Sequence, residues 1–233
     1  MKRCAFVVLG ILSAGCNFDV ADSTDVNPDQ LYQSYTISYS ETSKSLCGRA
    51  QFTISNAAGK SVDLQKPASI TFDGSPMAKE AFLGISYHAC TSATADGNHS
   101  FTFRTNDGLV YTNSVNMISM AVRNVPNTVS RTGFSVAFVG NEVDNTDSIE
   151  VSASGAAGRD APAGWTSYSN TVRVTANGDT LRVPPTVFQM IQNGTVRIAF
   201  KRVRKPRIQQ SASAGGDITI EYDSPSYSVQ LTD

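Results

Sequence analysis

His88 and His99 are the only histidines in the chain, so a zinc ion or an imidazole-activated nucleophile would have to be built around one of them. Neither has a second ligand at metal-binding spacing, and zinc would need carboxylates brought from elsewhere in the fold. Gly59-Lys60-Ser61 has the end of a phosphate-binding loop, but Ile54 stands where that loop needs its first glycine and no helical pattern follows. These residues read as a hairpin turn. Gly84-Ile85-Ser86-Tyr87-His88 lacks the second glycine of a nucleophile elbow and lies inside a strand pattern, so Ser86 reads as part of a polar outer face. Glu142, Asp144, Asp147 and Glu150 place carboxylates around one turn, where they could gather calcium with backbone carbonyls. The full calcium-loop pattern is missing, and a solvated acidic turn is the simpler reading. No carboxylate pair is marked out for glycoside hydrolysis. The chain therefore reads as non-enzymatic, with no metal and no cofactor.

Two segments could bind rather than react. Arg197, Lys201, Arg202, Arg204, Lys205 and Arg207 form the densest run of cations. At a sheet edge, with Pro206 among them, such residues block strand addition by another chain. Exposed together, they would make an anion patch for lipid headgroups, lipopolysaccharide phosphates or acidic polymers. The stretch from Gly155 to Asn170 is long for a loop in a compact domain and carries Arg159, Asp160, Trp165 and Tyr168. Trp165 is the only tryptophan, and its face could stack on a sugar or anchor a protein. Alternatively it folds back over the edge of the domain.

The elements that must position these residues repeat with period two. Tyr35, Ile37 and Tyr39 alternate with Thr36 and Ser38; Phe52 and Ile54 alternate with Gln51 and Thr53; Leu83, Ile85 and Tyr87 alternate with polar or small neighbours. Similar runs cover Phe134–Phe138, Ile149–Val151, Val196–Phe200, Ile218–Tyr222 and Tyr227–Leu231. Asn106-Asp107-Gly108 joins Phe101–Thr105 to Leu109–Tyr111 as a hairpin, and Asn177-Gly178 is expected to join Val172–Thr175 to Leu181–Val183 likewise. Pro184-Pro185, then Val187, Phe188, Met190 and Ile191, then Asn193-Gly194, predict one short helix capping the core. The strands are too short and too rich in Ser, Thr and charge for a transmembrane barrel. The expected fold is all-β: two tandem sandwiches, 31–116 and 117–233, that resemble immunoglobulin-like domains.

The N-terminus supplies an address. Lys2 and Arg3, an apolar run from Ala5 to Leu12, and small residues before Cys16 make an export signal too short to remain as a span. Residues 1–15 followed by Cys16 resemble a bacterial lipoprotein signal, which implies cleavage before Cys16 and lipid on that cysteine. Ser13 stands where that signal usually has Leu, with Leu12 one place earlier; ordinary cleavage after Ser13-Ala14-Gly15 is the competing reading. Ordinary cleavage would leave Cys16, Cys47 and Cys90, an odd set, whereas lipidation of Cys16 leaves an even pair. The exported reading puts Cys47 and Cys90 in an oxidising compartment, where their disulfide would close a loop of 43 residues. Two buried thiols that never meet are the alternative. Residues 16–30 carry several aspartates and no cation, and read as an acidic tether. Asn17 stands where an aspartate holds many lipoproteins in the inner membrane, so the resemblance implies the outer membrane.

Loss of Lys2 and Arg3 takes the formal charge from −1 to −3, which is no balance for nucleic acid. The membrane, through the lipid, and a glycan or envelope protein are the expected partners. The expected function is that of a cell-envelope lipoprotein binding through loops of its sandwiches. An architectural spacer, and more remotely a hydrolase with an unrecognised site, are the alternatives.

Overall fold

A computed structural model describes residues 19–82, 84–92, 94–140, 143 and 146–233. Among them the chain is all-β, with no α-helix. The N-terminal half contains β1 (Val20–Asp22), β2 (Leu31–Ser40), β3 (Ser45–Ile54), β4 (Ser61–Asp63), β5 (Ser69–Phe72), β6 (Ser75–Pro76), β7 (Ala78–Ala81), β8 (Ile85–Ser92), β9 (Asn98–Arg104) and β10 (Val110–Asn116). The C-terminal half contains β11 (Met120–Arg123), β12 (Thr128–Ser130), β13 (Phe134–Gly140), β14 (Asp147–Ala156), β15 (Ser167–Val174), β16 (Ala176–Asn177), β17 (Thr180–Val183), β18 (Gly194–Arg204), β19 (Gly216–Asp223) and β20 (Tyr227–Thr232).

Alternation in the sequence translates directly into faces. In β2, Leu31, Gln33, Tyr35, Ile37 and Tyr39 are buried while their neighbours are half-exposed. The N-terminal half is two sheets packed face to face. Tyr35 of β2 stacks on Phe101 of β9 with ring centres 4.6 Å apart, and Phe52 of β3 meets Phe103 at 4.4 Å. Gly48 is where these layers come closest: a Cβ there would lie 2.5 Å from the Phe72 ring. The C-terminal half repeats the arrangement, with β11, β13, β17 and β16 as one sheet.

The two halves are not separate. A 12-stranded sheet runs β1-β4-β3-β2-β19-β18-β14-β15, with β7, β8, β12 and β20 branching from it. Its centre is the parallel pair of β2 with β19, in register from Gln33–Gly216 to Ser40–Asp223. The segment between β18 and β19 adds a second seam: Asn113 of β10 accepts the Gln209 and Gln210 N–H groups, each at 2.9 Å, and donates to the Gln210 carbonyl at 2.8 Å. One contiguous apolar cluster passes through both halves. The sandwich pattern expected from sequence is present, and one sheet runs through both 31–116 and 117–233.

Three local expectations change. Asn177-Gly178 does close a hairpin, with Gly178 at φ 61°, but it joins β16 to β17; the chain crosses between sheets after Val174, so β15 belongs to the large sheet instead. The predicted helix is a single 3-10 turn at Pro185–Phe188, and Met190 beyond it has φ 60°, which ends any helical course. Val187, Phe188 and Ile191 still cap the core. Finally, the acidic tether is ordered from Val20 onward. Val20–Asp22 pairs in parallel with β4, Ser23 is buried and accepts the Gln65 N–H at 2.8 Å, and Val20, Ala21 and Val26 pack on the core.

Candidate functional site

The loop between β14 and β15 is built from its base. Ala157 N–H donates to the Thr166 carbonyl at 3.2 Å, closing the hairpin. Gly158 N–H donates to the Met190 carbonyl at 2.8 Å and Gln192 N–H to the Ala156 carbonyl at 2.8 Å, so the loop is tied to the segment after the 3-10 turn. Arg131 holds that segment in turn, donating to the Phe188 carbonyl at 3.2 Å, to the Ile191 carbonyl and to Asn193 Oδ1 at 2.6 Å. Above this base, Ala161 N–H donates to Gly158 and Trp165 N–H to Pro162, giving two successive turns, with Gly164 at φ 86°.

These turns put Trp165 outside. It is 57% exposed, with its ring centre 5.6 Å from that of half-buried Tyr168 at an interplanar angle of 38°. Trp165 thus lies outside the core and leans on Tyr168 of the edge strand β15. Met190, whose carbonyl anchors the loop, is exposed as well. Arg159 and Asp160 are exposed on the opposite limb, and no hydrogen bond or ion pair among the described residues joins them to the aromatic pair. The arrangement offers an apolar face on a braced loop, a surface that can stack on a sugar ring or seat an apolar side chain.

The cation run does not form a patch. β18 lies inside the large sheet, between β14 on one side and β19 and β20 on the other, so the edge-protecting reading falls too. Arg202 points inward with Val196, Ile198 and Phe200 and is fully buried. It donates to the Ser119 carbonyl at 2.8 Å and to Asp147, and lies 5.8 Å from the Phe138 ring centre. Arg204 donates to both oxygens of the same carboxylate, at 2.6 and 2.9 Å. Lys201 points outward to Glu221 at 2.7 Å and Asp223 at 3.9 Å. Burial works against its charge, but Glu221, Asp223 and Glu150 outweigh it and hold the ammonium pKa above its ordinary value. Asp223 is pushed up by burial, against the pull of Lys201. Across four strands, Arg173, Glu150, Lys201 and Asp223 are successive partners in one rung of alternating charge. Arg197, Lys205 and Arg207 of the run are exposed, while Lys201, Arg202 and Arg204 are taken up by carboxylates.

The other described residues singled out by their chemistry lie in strands and the turns between them. Cys47 and Cys90 are direct cross-strand partners of β3 and β8 and form the disulfide, with Cα atoms 4.1 Å apart. Ser86 is buried between buried Ile85 and Tyr87, not on an outer face. Lys60 pairs with Asp19 at 2.7 Å, and Ser61 Oγ accepts the Ile85 N–H at 2.9 Å, in the turn that links β3 to β4. His99 is buried, with Nδ1 at 2.7 Å from Asp73 Oδ2, and stacks on Phe72; His88 lies beside Glu80 at 3.8 Å. No group of three His, Cys, Asp or Glu side chains gathers to hold a metal among the described residues. Of the acidic turn, Glu142 and Asp144 lie outside the described residues, as does Cys16; Asp147 is buried with the arginines, and Glu150 lies in the charged rung.

No family model matches the chain, and no curated protein matches it. Solved structures resemble it only faintly. SGBP-B of the Bacteroides ovatus mixed-linkage glucan utilization locus, in complex with a mixed-linkage heptasaccharide, is 8% identical with a TM-score of 0.23 over 81% of this chain and 53% of that one. This chain thus spans about half of that protein's length. The fibronectin(III)-like modules of Clostridium thermocellum CbhA are 11% identical, with a TM-score of 0.20 over 84% of this chain and 92% of theirs. The Yersinia pseudotuberculosis adhesin InvE is 8% identical, with a TM-score of 0.21 over 89% of this chain and 62% of its own. Values this low add nothing to the strand pairing described above.

Proposed function

We propose that this chain is a non-enzymatic lipoprotein of the outer membrane, cleaved before Cys16 and anchored by lipid on that cysteine, whose sandwiches bind a glycan through the loop carrying Trp165. The single observation that carries the binding is the exposed Trp165 face seated beside Tyr168 on a loop braced at its base. A water-exposed indole costs free energy that a sugar face recovers, because pyranose C–H groups cover it while ring hydroxyls stay solvated. The bracing keeps the loop ordered before binding, so little conformational entropy is lost on contact. Arg159 and Asp160 supply polar groups at the rim of the same loop.

The architectural reading is favoured by a different observation. The β2–β19 pair and the Cys47–Cys90 bridge make a stiff element of the kind a spacer or assembly subunit needs. The two readings separate by calorimetric titration of the detergent-solubilised chain with soluble envelope and capsular oligosaccharides. The glycan reading expects heat of binding that Trp165→Ala abolishes and Lys205→Ala leaves intact. Absence of binding across the oligosaccharide set would hand the function to the architectural reading.

A further inference from the structure

Sheet edges in this fold are managed with care, and one is not. Among the described residues, the outermost strands β1 and β12 have three residues each, β7 and β11 four each, and β6 and β16 two each. β10 is longer, with seven residues, but its free edge is covered. Thr112 N–H donates to Gln210 Oε1 at 2.8 Å and Ser114 N–H to Gln209 Oε1 at 2.7 Å, while Gln209 Nε2 donates back to the Ser114 carbonyl at 2.6 Å. Two glutamine side chains thus take the place of a neighbouring strand. Among the described residues β15, with eight residues, pairs only with β14, and no side chain hydrogen-bonds its outward backbone groups; beyond β14 its Asn170 side chain donates to the Thr186 carbonyl at 2.7 Å, on the face of the sheet rather than its edge.

The direction of its free groups follows from the hairpin closure. Thr166 accepts from Ala157, so Tyr168, Asn170, Val172 and Val174 turn their backbone groups toward β14. Ser167, Ser169, Thr171 and Arg173 therefore turn N–H and C=O outward, and all four residues are exposed. None of the usual protections is present: the strand holds no proline, no lysine and a single charge, Arg173.

We infer that this edge pairs antiparallel with β15 of a second copy of the chain, about a two-fold axis at Asn170. That register is self-complementary. Ser167 meets Arg173 and Ser169 meets Thr171 of the second copy as hydrogen-bonded pairs, so every outward N–H and C=O of the strand is used. Tyr168 meets Val172, an aromatic pair with a β-branched residue, and the Arg173 side chains stand apart rather than opposite each other. Shifting the axis to Thr171 leaves Ser167 unpaired. Paired this way, the large sheet continues across the dimer. The two Trp165 loops then lie roughly 33 Å apart along the strand direction, at about 3.3 Å per residue. The pairing stands independently of what Trp165 binds.

The test is sedimentation equilibrium of the full detergent-solubilised chain, combined with amide exchange. A concentration-dependent dimer is expected, with slow exchange at the Ser169 and Thr171 amides. Ser169→Pro removes an outward N–H without touching the β14 pairing and should give a monomer with an unchanged circular dichroism spectrum. Asn170→Cys places two thiols at the axis, where facing Cα atoms of a non-hydrogen-bonded pair are about 4.5 Å apart, and should yield a disulfide-linked dimer on oxidation. Thr175→Cys should not. A wild-type chain that stays monomeric at hundreds of micromolar would overturn the inference and point to a strand from another protein. A dimer that survives Ser169→Pro, with fast exchange at Ser169 in the wild type, would overturn it as well.

Discussion

Asp147→Ala should be among the most damaging single substitutions in this chain. The Asp147 carboxylate is fully buried and shared by Arg202, also fully buried, and Arg204, whose side chain is 21% exposed. Removing it takes a counter-charge from a guanidinium with no direct access to water, and breaking a buried pair from one side costs about 3–5 kcal/mol. For a chain of this size about 2–4 °C of Tm is lost per kcal/mol, so the midpoint should fall by roughly 6–20 °C. Arg202→Met should behave differently. It retains bulk against Phe138, removes the cost of burying a guanidinium, and leaves Asp147 paired with Arg204; the bond it gives up to the Ser119 carbonyl is worth about 1–3 kcal/mol. Urea unfolding followed by circular dichroism, with m-values compared, measures both. A cost for Asp147→Ala below about 1 kcal/mol, or equal costs for the two variants, would refute the asymmetry on which this reasoning rests.

Further outcomes follow from the same packing. The Cys47→Ser/Cys90→Ser double variant should lose about 4 kcal/mol in thermal or urea unfolding, from the entropy of an open 43-residue loop; an unchanged midpoint would show that the bridge constrains nothing. Because β2 pairs with β19 and one apolar cluster spans both halves, calorimetry should show one cooperative transition, whereas two separable peaks would mean independent sandwiches. Burial raises the phenol pKa values of Tyr35, Tyr87 and Tyr222 above 10.0. Above the unfolded pKa the folded state holds more protons than the unfolded, so stability should fall as pH rises past about 10. Tyr87→Phe should flatten that alkaline limb, and an unaltered limb would exclude Tyr87 as a contributor.

Strands were legible because alternation survives any tertiary context in which one face is wet. The same parity places Arg202 inward: Val196, Ile198 and Phe200 fix the buried face of β18, and two residues further the pattern demands a buried side chain. Reading Lys201 to Arg207 as a charge run hides this, since net charge carries no phase. What could not be read was which strands are neighbours. β2 and β19 are parallel partners separated by most of the chain, and nothing local in either marks the other. Asn177-Gly178 marked a true turn but not its strands, because the crossing at Thr175 leaves no compositional trace. Loop length and a lone tryptophan single out Trp165 in the sequence, and the fold leaves it exposed. Its bracing through Met190 and Arg131 depends on a left-handed residue and a long-range guanidinium, which only the fold brings together.

Trp165 is the only tryptophan, so the protein's indole emission reports on this one loop. Its exposure also means that Trp165→Ala should change stability by less than about 0.5 kcal/mol, which separates binding from folding. The direct measurement is a fluorescence titration of the full chain with soluble envelope oligosaccharides. A saturable blue shift of the Trp165 emission, with reduced quenching by iodide, is the predicted result. Emission and quenching that stay constant at millimolar oligosaccharide would contradict the proposed role of this loop.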